Sequence, residues 1–279
     1  MLNTNYKEFR IILFILFFIA MAIVSGIIGL IFSFTVYTEG IVNLFLNGVL
    51  LLYLLWQVKK HQISMNETRM SSVMSPMRWT KYISFSIFIK ILGIVGIIFF
   101  SAVIMLMFPA LQEFLLTFMV VPEDELVTPH ASEFILLTIG LCILTPIWEE
   151  YFFRGILLRK LTLKFKATTS VILSSAIFAV LHLGGSSMFH AFVIGCLFAY
   201  VYVRTKNIWV SIVLHGITNF ISTVALLAPV TPEDLAMPSS DELISTVQLF
   251  SVLFLLLFAI VLFIGKRNWY KLKAMSTAE

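Results

Sequence analysis

Residues 145 to 155 read TPIWEEYFFRG, placing Glu149, Glu150 and Arg154 together in a chain otherwise dominated by apolar residues. On a helix of about 3.6 residues per turn, Glu150 and Arg154 stand one turn apart on one face, and Glu149 is rotated about 100° away. Glu150 can therefore pair with Arg154 and stay charged at little cost, which leaves Glu149 for another partner. One carboxylate would suffice for a structural ion pair with Arg154 snorkelling outward. The second points to chemistry, because ionisable groups within a membrane are costly unless they are paired or used.

Two further polar elements follow. Phe178-Ala179-Val180-Leu181-His182 closes one apolar stretch, and His215-Gly216-Ile217-Thr218-Asn219 lies within another. A lone His182 could simply bond a neighbouring helix. His215 and Asn219 project from one face one turn apart, so an imidazole and an amide can donate towards one point, and Gly216 lets another backbone or a substrate approach. His190 reads as structural, since no polar partner is spaced to face it, and His61 and His130 belong to loops. Hydrolysis of an amide bond needs an activated water, a proton for the leaving amine and donors for the tetrahedral oxyanion. Glu149 with His182 can supply the first two, and His215 with Asn219 the third. Glu150 and Arg154 would fix the helix and the local field.

The elements that must carry these groups are membrane helices. The 279 residues are 60% hydrophobic and only 12% charged, with 27 Phe, against roughly 45–50% apolar and about 25% charged in ordinary soluble domains. Eight apolar runs are candidates to span a hydrocarbon core about 30 Å thick: 11–35, 41–57, 83–107, 133–158, 168–183, 188–203, 207–228 and 243–264. The first continues well past Ala20-Met21-Ala22, so it reads as an uncleaved span rather than a signal peptide. The expected fold is all-α, a polytopic bundle of eight transmembrane helices.

Basic residues accumulate on the cytoplasmic side of membrane proteins. With the N-terminus and the C-terminus both inside, every basic residue except Lys90 and Arg154 falls in a cytoplasmic segment, and the outer segments hold acidic residues alone. The net charge of +4 is thereby spread over short loops facing anionic lipid, which argues for lipid contact and against nucleic acid as a partner. Cys142 and Cys196 lie within spans as small buried hydrophobes, with neither disulfide nor zinc-finger spacing.

The chain divides into N-terminal helices and a cytoplasmic loop (1–132), a polar core (133–228) and a C-terminal helix with a basic tail (229–279). Spans one to three read as almost purely apolar and small. The loop 59–81 is polar and basic; its Asn66-Glu67-Thr68 sequon is a chance match on the cytoplasmic side. The segment 108–131 is expected to pack as a short interfacial helix on the outer face. One difficulty is depth: counted along the helices, Glu149 and His215 lie about 14 and 12 Å from the cytoplasmic side but His182 about 21 Å; spans five and six are short for a full crossing, so their Gly184-Gly185 turn is expected below the outer surface, and a tilt of span five would bring His182 closer.

Glu149-Glu150-Tyr151-Phe152-Phe153-Arg154, Phe178 to His182 and His215 to Asn219, in this order on separate membrane helices, resemble the CPBP family. This is the CAAX-protease and bacteriocin-processing group also called Abi, whose pattern is EExxxR, FxxxH and HxxxN or HxxxB. The resemblance covers about residues 133 to 228 and every motif position matches. It implies an intramembrane endopeptidase similar to the type II CAAX prenyl endopeptidases, with Glu149 and His182 activating water and His215 and Asn219 holding the oxyanion. It also implies a hydrophobic or membrane-associated peptide as substrate and bacteriocin immunity or peptide maturation as the setting; the Phe-rich spans flanked by Lys and Arg read as bacterial by composition, so a bacterial cell membrane is the expected location. Glu149, His182 and His215 would make a Zn²⁺ set with an open position. With no HExxH present and a glutamate-dependent route needing no metal, the reading prefers no tightly bound metal. Two other classes fit parts of the pattern: a non-catalytic membrane immunity or binding protein that uses the polar cluster for partner association, and a proton-linked transporter. The clustering of polar residues in one half and the lack of an inverted repeat weigh against transport.

Overall fold

The computed structural model describes residues 8–32, 36–63, 76–108, 131–182, 186–225, 227 and 239–276. Every regular element among them is helical. The helices are α1 (Ile11–Phe32), α2 (Val36–Lys60), α3 (Pro76–Met107), α4 (Ala131–Thr162), α5 (Ala167–Leu181), α6 (Ser186–Thr205), α7 (Ile208–Ala225) and α8 (Ser240–Ser276). Six are long and apolar enough to cross a membrane; α5 and the apolar part of α6 are shorter. The protein is a polytopic helical membrane bundle. Two boundaries differ from the sequence reading. Arg78 and Lys81 ride on α3 rather than on a loop, and α8 runs on through the basic tail to Ser276. The interfacial helix expected over 108–131 and most of the loop 59–81 lie outside the described residues.

Local chemistry sets the ends. Ser239 and Glu242 form a capping box at the start of α8: the Glu242 carboxylate accepts from the Ser239 N–H and the Ser239 hydroxyl from the Glu242 N–H. Between α6 and α7, Lys206 takes a positive φ of 52°, and Asn207 Oδ1 accepts the Trp209 N–H, capping α7. This tight corner makes α6 and α7 neighbours, and with the short link from α4 to α5 it gathers the motif-bearing helices.

Packing is built from aromatic and branched side chains. Phe9 and Phe14 reach Trp148, Phe152 and Phe153 of α4, with Leu50 and Leu54 of α2 in the same cluster. Ile89 of α3 joins Ile194, Leu197 and Phe198 of α6 and Val210 and Leu214 of α7. Leu92, Val95 and Phe254 join α3 to α8. Large apolar side chains also cover the outside, such as Ile12, Leu52, Leu249 and Phe263. A surface of this kind suits lipid, which solvates it as well as a protein core would.

α4 is the axis of the site and departs from regular helix twice. Ile139–Leu144 and Tyr151–Leu158 are wound as π-helix on either side of the ordinary turn Thr145–Glu150. Such stretches are rare and concentrate at functional sites. The first has a visible cause. Thr145 donates its N–H to Gly140 O, five residues back, and Pro146, next in line, has no N–H to give. The Leu141 carbonyl takes Asn219 Nδ2 of α7 instead, at 2.9 Å, the kind of re-satisfaction that makes proline tolerable inside a membrane helix.

Candidate active site

The ordinary turn of α4 is clamped on both sides. Trp148 Nε1 donates to Asn47 Oδ1 of α2 at 2.7 Å, and Thr145 Oγ1 donates to the same oxygen at 2.8 Å. Asn47 Nδ2 donates in turn to Asn43 Oδ1 and to its carbonyl, both at 2.9 Å. α2 is therefore not purely apolar as expected; it carries a polar seam with two asparagines, and Gly140 of α4 lets Asn43 come close. On the opposite side, Glu150 Oε1 meets Arg154 Nη1 at 3.0 Å and accepts from His215 Nδ1 at 2.9 Å. With Trp148 fixed to α2 and Glu150 to α7, the rotation of Glu149 between them is set.

Arg154 is enclosed rather than snorkelling: it is 1% exposed. Its guanidinium donates to Gly195 O at 3.0 Å and sits over the rings of Phe153, Phe178 and Phe198 at 5.7, 4.9 and 5.6 Å. An aromatic cage plus a carboxylate is what a weakly hydrated guanidinium tolerates in an apolar interior. Phe178 has a second task, because its carbonyl accepts from His182 Nδ1 at 2.7 Å and its ring stacks on that imidazole.

These anchors assign tautomers. A carbonyl and a carboxylate can only accept, so the proton sits on Nδ1 of His182 and on Nδ1 of His215. Both Nε2 atoms are then turned to Glu149: His182 Nε2 lies 3.9 Å from Oε1 and His215 Nε2 3.6 Å from Oε2. Glu149 is buried, and its Oε2 has no hydrogen-bond partner among the described residues. The depth difference inferred along the helices thus closes in space. His182, at the C-terminal end of α5, comes within reach of the middle of α4.

Of the residues singled out from the sequence, Glu149, His182 and His215 converge. Glu150, expected to serve Arg154 alone, also holds His215. His215 and Asn219 do not present two free donors to one point. Asn219 commits one N–H to Leu141 O and retains the other, and Gly216 lets α7 press against the Cys142 carbonyl, which a Cβ there would meet at 2.7 Å. Asn47 and Thr145 went unnoticed in the sequence. An asparagine inside an apolar run was a visible signal, but its partner across α4 was not.

A cavity of about 320 Å³ opens between α1, α2 and α4, lined by Phe18, Met21, Leu46, Asn47, Trp148 and Glu149 among others. It connects an apolar surface to the central carboxylate. The Glu149, His182 and His215 donors are of the kinds a catalytic zinc uses, and their Nδ1 anchors are the outer-shell bonds such ligands make. Among the described residues, however, no group of three or more His, Cys, Asp or Glu is gathered at metal-holding spacing.

Residues 131–221 match the family model of type II CAAX prenyl endopeptidase Rce1-like proteins. A protein of Bacillus subtilis (strain 168) named "Putative membrane peptidase YdiL" is 35% identical over 88 residues, which are 32% of this chain and 36% of that protein. The chain thus spans little more than a third of the length of that relative. No solved structure matches.

Proposed function

We propose, from the premise that residues 131–221 are a segment of the CPBP/CAAX-protease family, that this chain is an intramembrane endopeptidase hydrolysing a peptide bond in a hydrophobic or membrane-associated peptide. The observation that carries the reading is the convergence of two oriented imidazole Nε2 atoms on the buried Glu149 carboxylate, at 3.6 and 3.9 Å. Separations of this size suit one bridging water better than direct contact.

In this reading a water held between Glu149 and the imidazoles gives a proton to Glu149 as its oxygen attacks the scissile carbonyl carbon. Charge collects on the carbonyl oxygen, where the second N–H of Asn219 can donate. His215 can donate there only with a proton on Nε2, and the Glu150 carboxylate at Nδ1 keeps the ring turned that way. The proton taken by Glu149 passes to the leaving amine directly or through His182 Nε2, and the C–N bond breaks to give an amine and a carboxylic acid. Anchoring Asn219 to Leu141 O keeps its remaining donor pre-aimed. Bacteriocin immunity or peptide maturation is the setting that suits an apolar peptide substrate.

The test uses purified protein in proteoliposomes and pools of short quenched-fluorescent apolar peptides. Glu149→Gln and His182→Ala should each cut cleavage by roughly 10²-fold or more while inserting and melting as the wild type does, and His215→Ala should cut it as far but melt lower, because it opens a cavity beside Phe198 and takes a partner from Glu150. Chelator treatment followed by zinc add-back reads metal dependence on the same samples. If all three variants cleave normally, the peptidase reading falls. If the wild type cleaves nothing while a protective phenotype survives Glu149→Gln, the cluster serves helix association and partner binding instead.

A further inference from the structure

The cavity between α1, α2 and α4 has a shape that the reaction proposed above does not use. Its lining is one stripe from each helix: Phe18 to Ser25 on α1, Val42 to Leu50 on α2 and Leu141 to Glu149 on α4. At about 1.5 Å per residue each stripe runs for about 10 to 12 Å, or two helical turns. The space of about 320 Å³ is therefore a slot lying along the helices. α1 runs opposite to α2 and α4, since Phe18 packs on Trp148 and Phe17 on Tyr53. Glu149 accordingly stands at one end of the slot, and Ser25 and Asn43 stand at the other, where Asn43 abuts Gly140.

Both ends carry polar groups that no protein group among the described residues satisfies. At one end this is Glu149 Oε2. At the other, Asn43 accepts from Asn47 through its carbonyl and its Oδ1, but its own Nδ2 donates to nothing among the described residues, and the Ser25 hydroxyl is likewise unbonded there. A peptide bond can reach Glu149 only where its segment is unwound, because a helix ties up its own carbonyls and amides. Unwound backbone at membrane depth is tolerated where the protein encloses it and supplies partners. The slot supplies them: Asn43 Nδ2 donates to a peptide carbonyl, and the Ser25 hydroxyl accepts from a peptide N–H. An extended chain rises about 3.3 Å per residue, so a slot of this length takes about three to four residues. A lipid acyl chain matches the apolar walls but leaves the polar far end unused.

We propose that the slot holds about three to four residues of the substrate in extended form, on one side of the scissile bond, with apolar side chains against Phe18, Leu46 and Trp148 and the backbone bonded to Asn43 and Ser25. This rests on the peptidase reading and narrows its substrate class to apolar peptides selected by the length of unwound chain beside the cleaved bond.

The experiment uses full-length protein in phosphatidylcholine proteoliposomes and two series of quenched-fluorescent apolar peptides, extended one residue at a time on the amino or the carboxyl side of the cleaved bond. In one series kcat/KM should rise about tenfold and level off after about four residues, the gain expected of two neutral hydrogen bonds with some apolar burial; the side that shows it gives the direction of the chain. Ser25→Phe fills the far end, so the ratio of longest to shortest peptide should fall close to one. Ser25→Ala removes only the hydroxyl and should lower that ratio about threefold with an unchanged melting temperature, which keeps the test open if the larger side chain disturbs folding. Series that are flat in the wild type, or a ratio that neither variant changes, overturn the slot while the peptidase reading stands. A second arm needs no cleavage. A five-residue apolar peptide with a diazirine side chain at one end, photolysed with the Glu149→Gln protein, should label the α1 and α2 stripes and be displaced by unlabelled peptide, and the slot then stands even where the wild type cleaves nothing. Labelling confined to other helices overturns it. So does labelling of the two stripes by a photoactivatable phosphatidylcholine that excess peptide cannot displace, which assigns the groove to an acyl chain.

Discussion

Glu150 Oε1 is shared between Arg154 and His215 at 3.0 and 2.9 Å, so its removal strands two buried groups at once. Glu150→Gln keeps the shape but leaves the Arg154 guanidinium without a counter-charge, and breaking a buried pair in this way costs about 3–5 kcal/mol. The prediction is a large fall in melting temperature together with lost cleavage. Glu149→Gln should differ: its carboxylate makes no direct hydrogen bond to the imidazoles, so the fold should hold while activity drops by roughly 10²-fold or more, the scale of general acid–base assistance. Measuring melting and cleavage on both variants separates the adjacent carboxylates by role. A Glu150→Gln protein as stable as the wild type would contradict the enclosed ion pair. The helical spacing made the Glu150–Arg154 pair legible in the sequence. The second partner of Glu150 was hidden, because His215 is 65 positions away and the choice between its two nitrogens depends on tertiary contact.

α4 works as a precision element because each irregularity in it is tied to a neighbour. Pro146 frees the Leu141 carbonyl, Asn219 claims it, and Gly216 one turn earlier on α7 allows the two backbones to close up. Gly216→Ala would set a Cβ 2.7 Å from the Cys142 carbonyl oxygen, a contact with backbone that a side-chain rotation cannot relieve. Strain of about 1–3 kcal/mol is expected, with α7 displaced and both His215 and Asn219 moved from α4. Cleavage should fall further than the melting temperature alone would suggest. On the other side, Asn47→Leu and Trp148→Phe each break the 2.7 Å bond that fixes the turn before Glu149. If Asn47 acts on Glu149 through Trp148, the double variant should lose little more kcat than the worse single one, the non-additivity of residues sharing one bond. Additive losses would place Asn47 on a separate task, such as contact with substrate in the adjoining cavity. The eight apolar runs and the three motif helices were legible because length, hydropathy and i,i+4 spacing are local properties. The π-helical stretches and the α2 seam were not, since both depend on which carbonyl or amide faces another helix.

At the scale of the molecule, the motif helices are held between two flanking sets: α1 and α2 against one side of α4, and α3, backed by α8, against α6 and α7. α5 has 15 residues, about 22 Å of helix against a hydrocarbon core of about 30 Å, so His182 at its end stays at the depth of Glu149 instead of reaching the far surface. The charge pattern names the compartment that each helix end faces. Lys59, Lys60, Lys164, Lys166 and Lys206 flank helix ends on what should be the cytoplasmic side, and Ser239 with Asp241 and Glu242 on the outer side. Single cysteines test this in a background with Cys142 and Cys196 replaced. A membrane-impermeant maleimide added to intact cells should label Ser239→Cys, while Lys60→Cys and Lys206→Cys should react only after the membrane is opened. The reverse pattern would turn the whole bundle over and place its basic helix ends outside. Labelling of Lys60→Cys and Lys206→Cys from opposite sides would instead break the eight-span count, in which α2 and α6 both end on the cytoplasmic face.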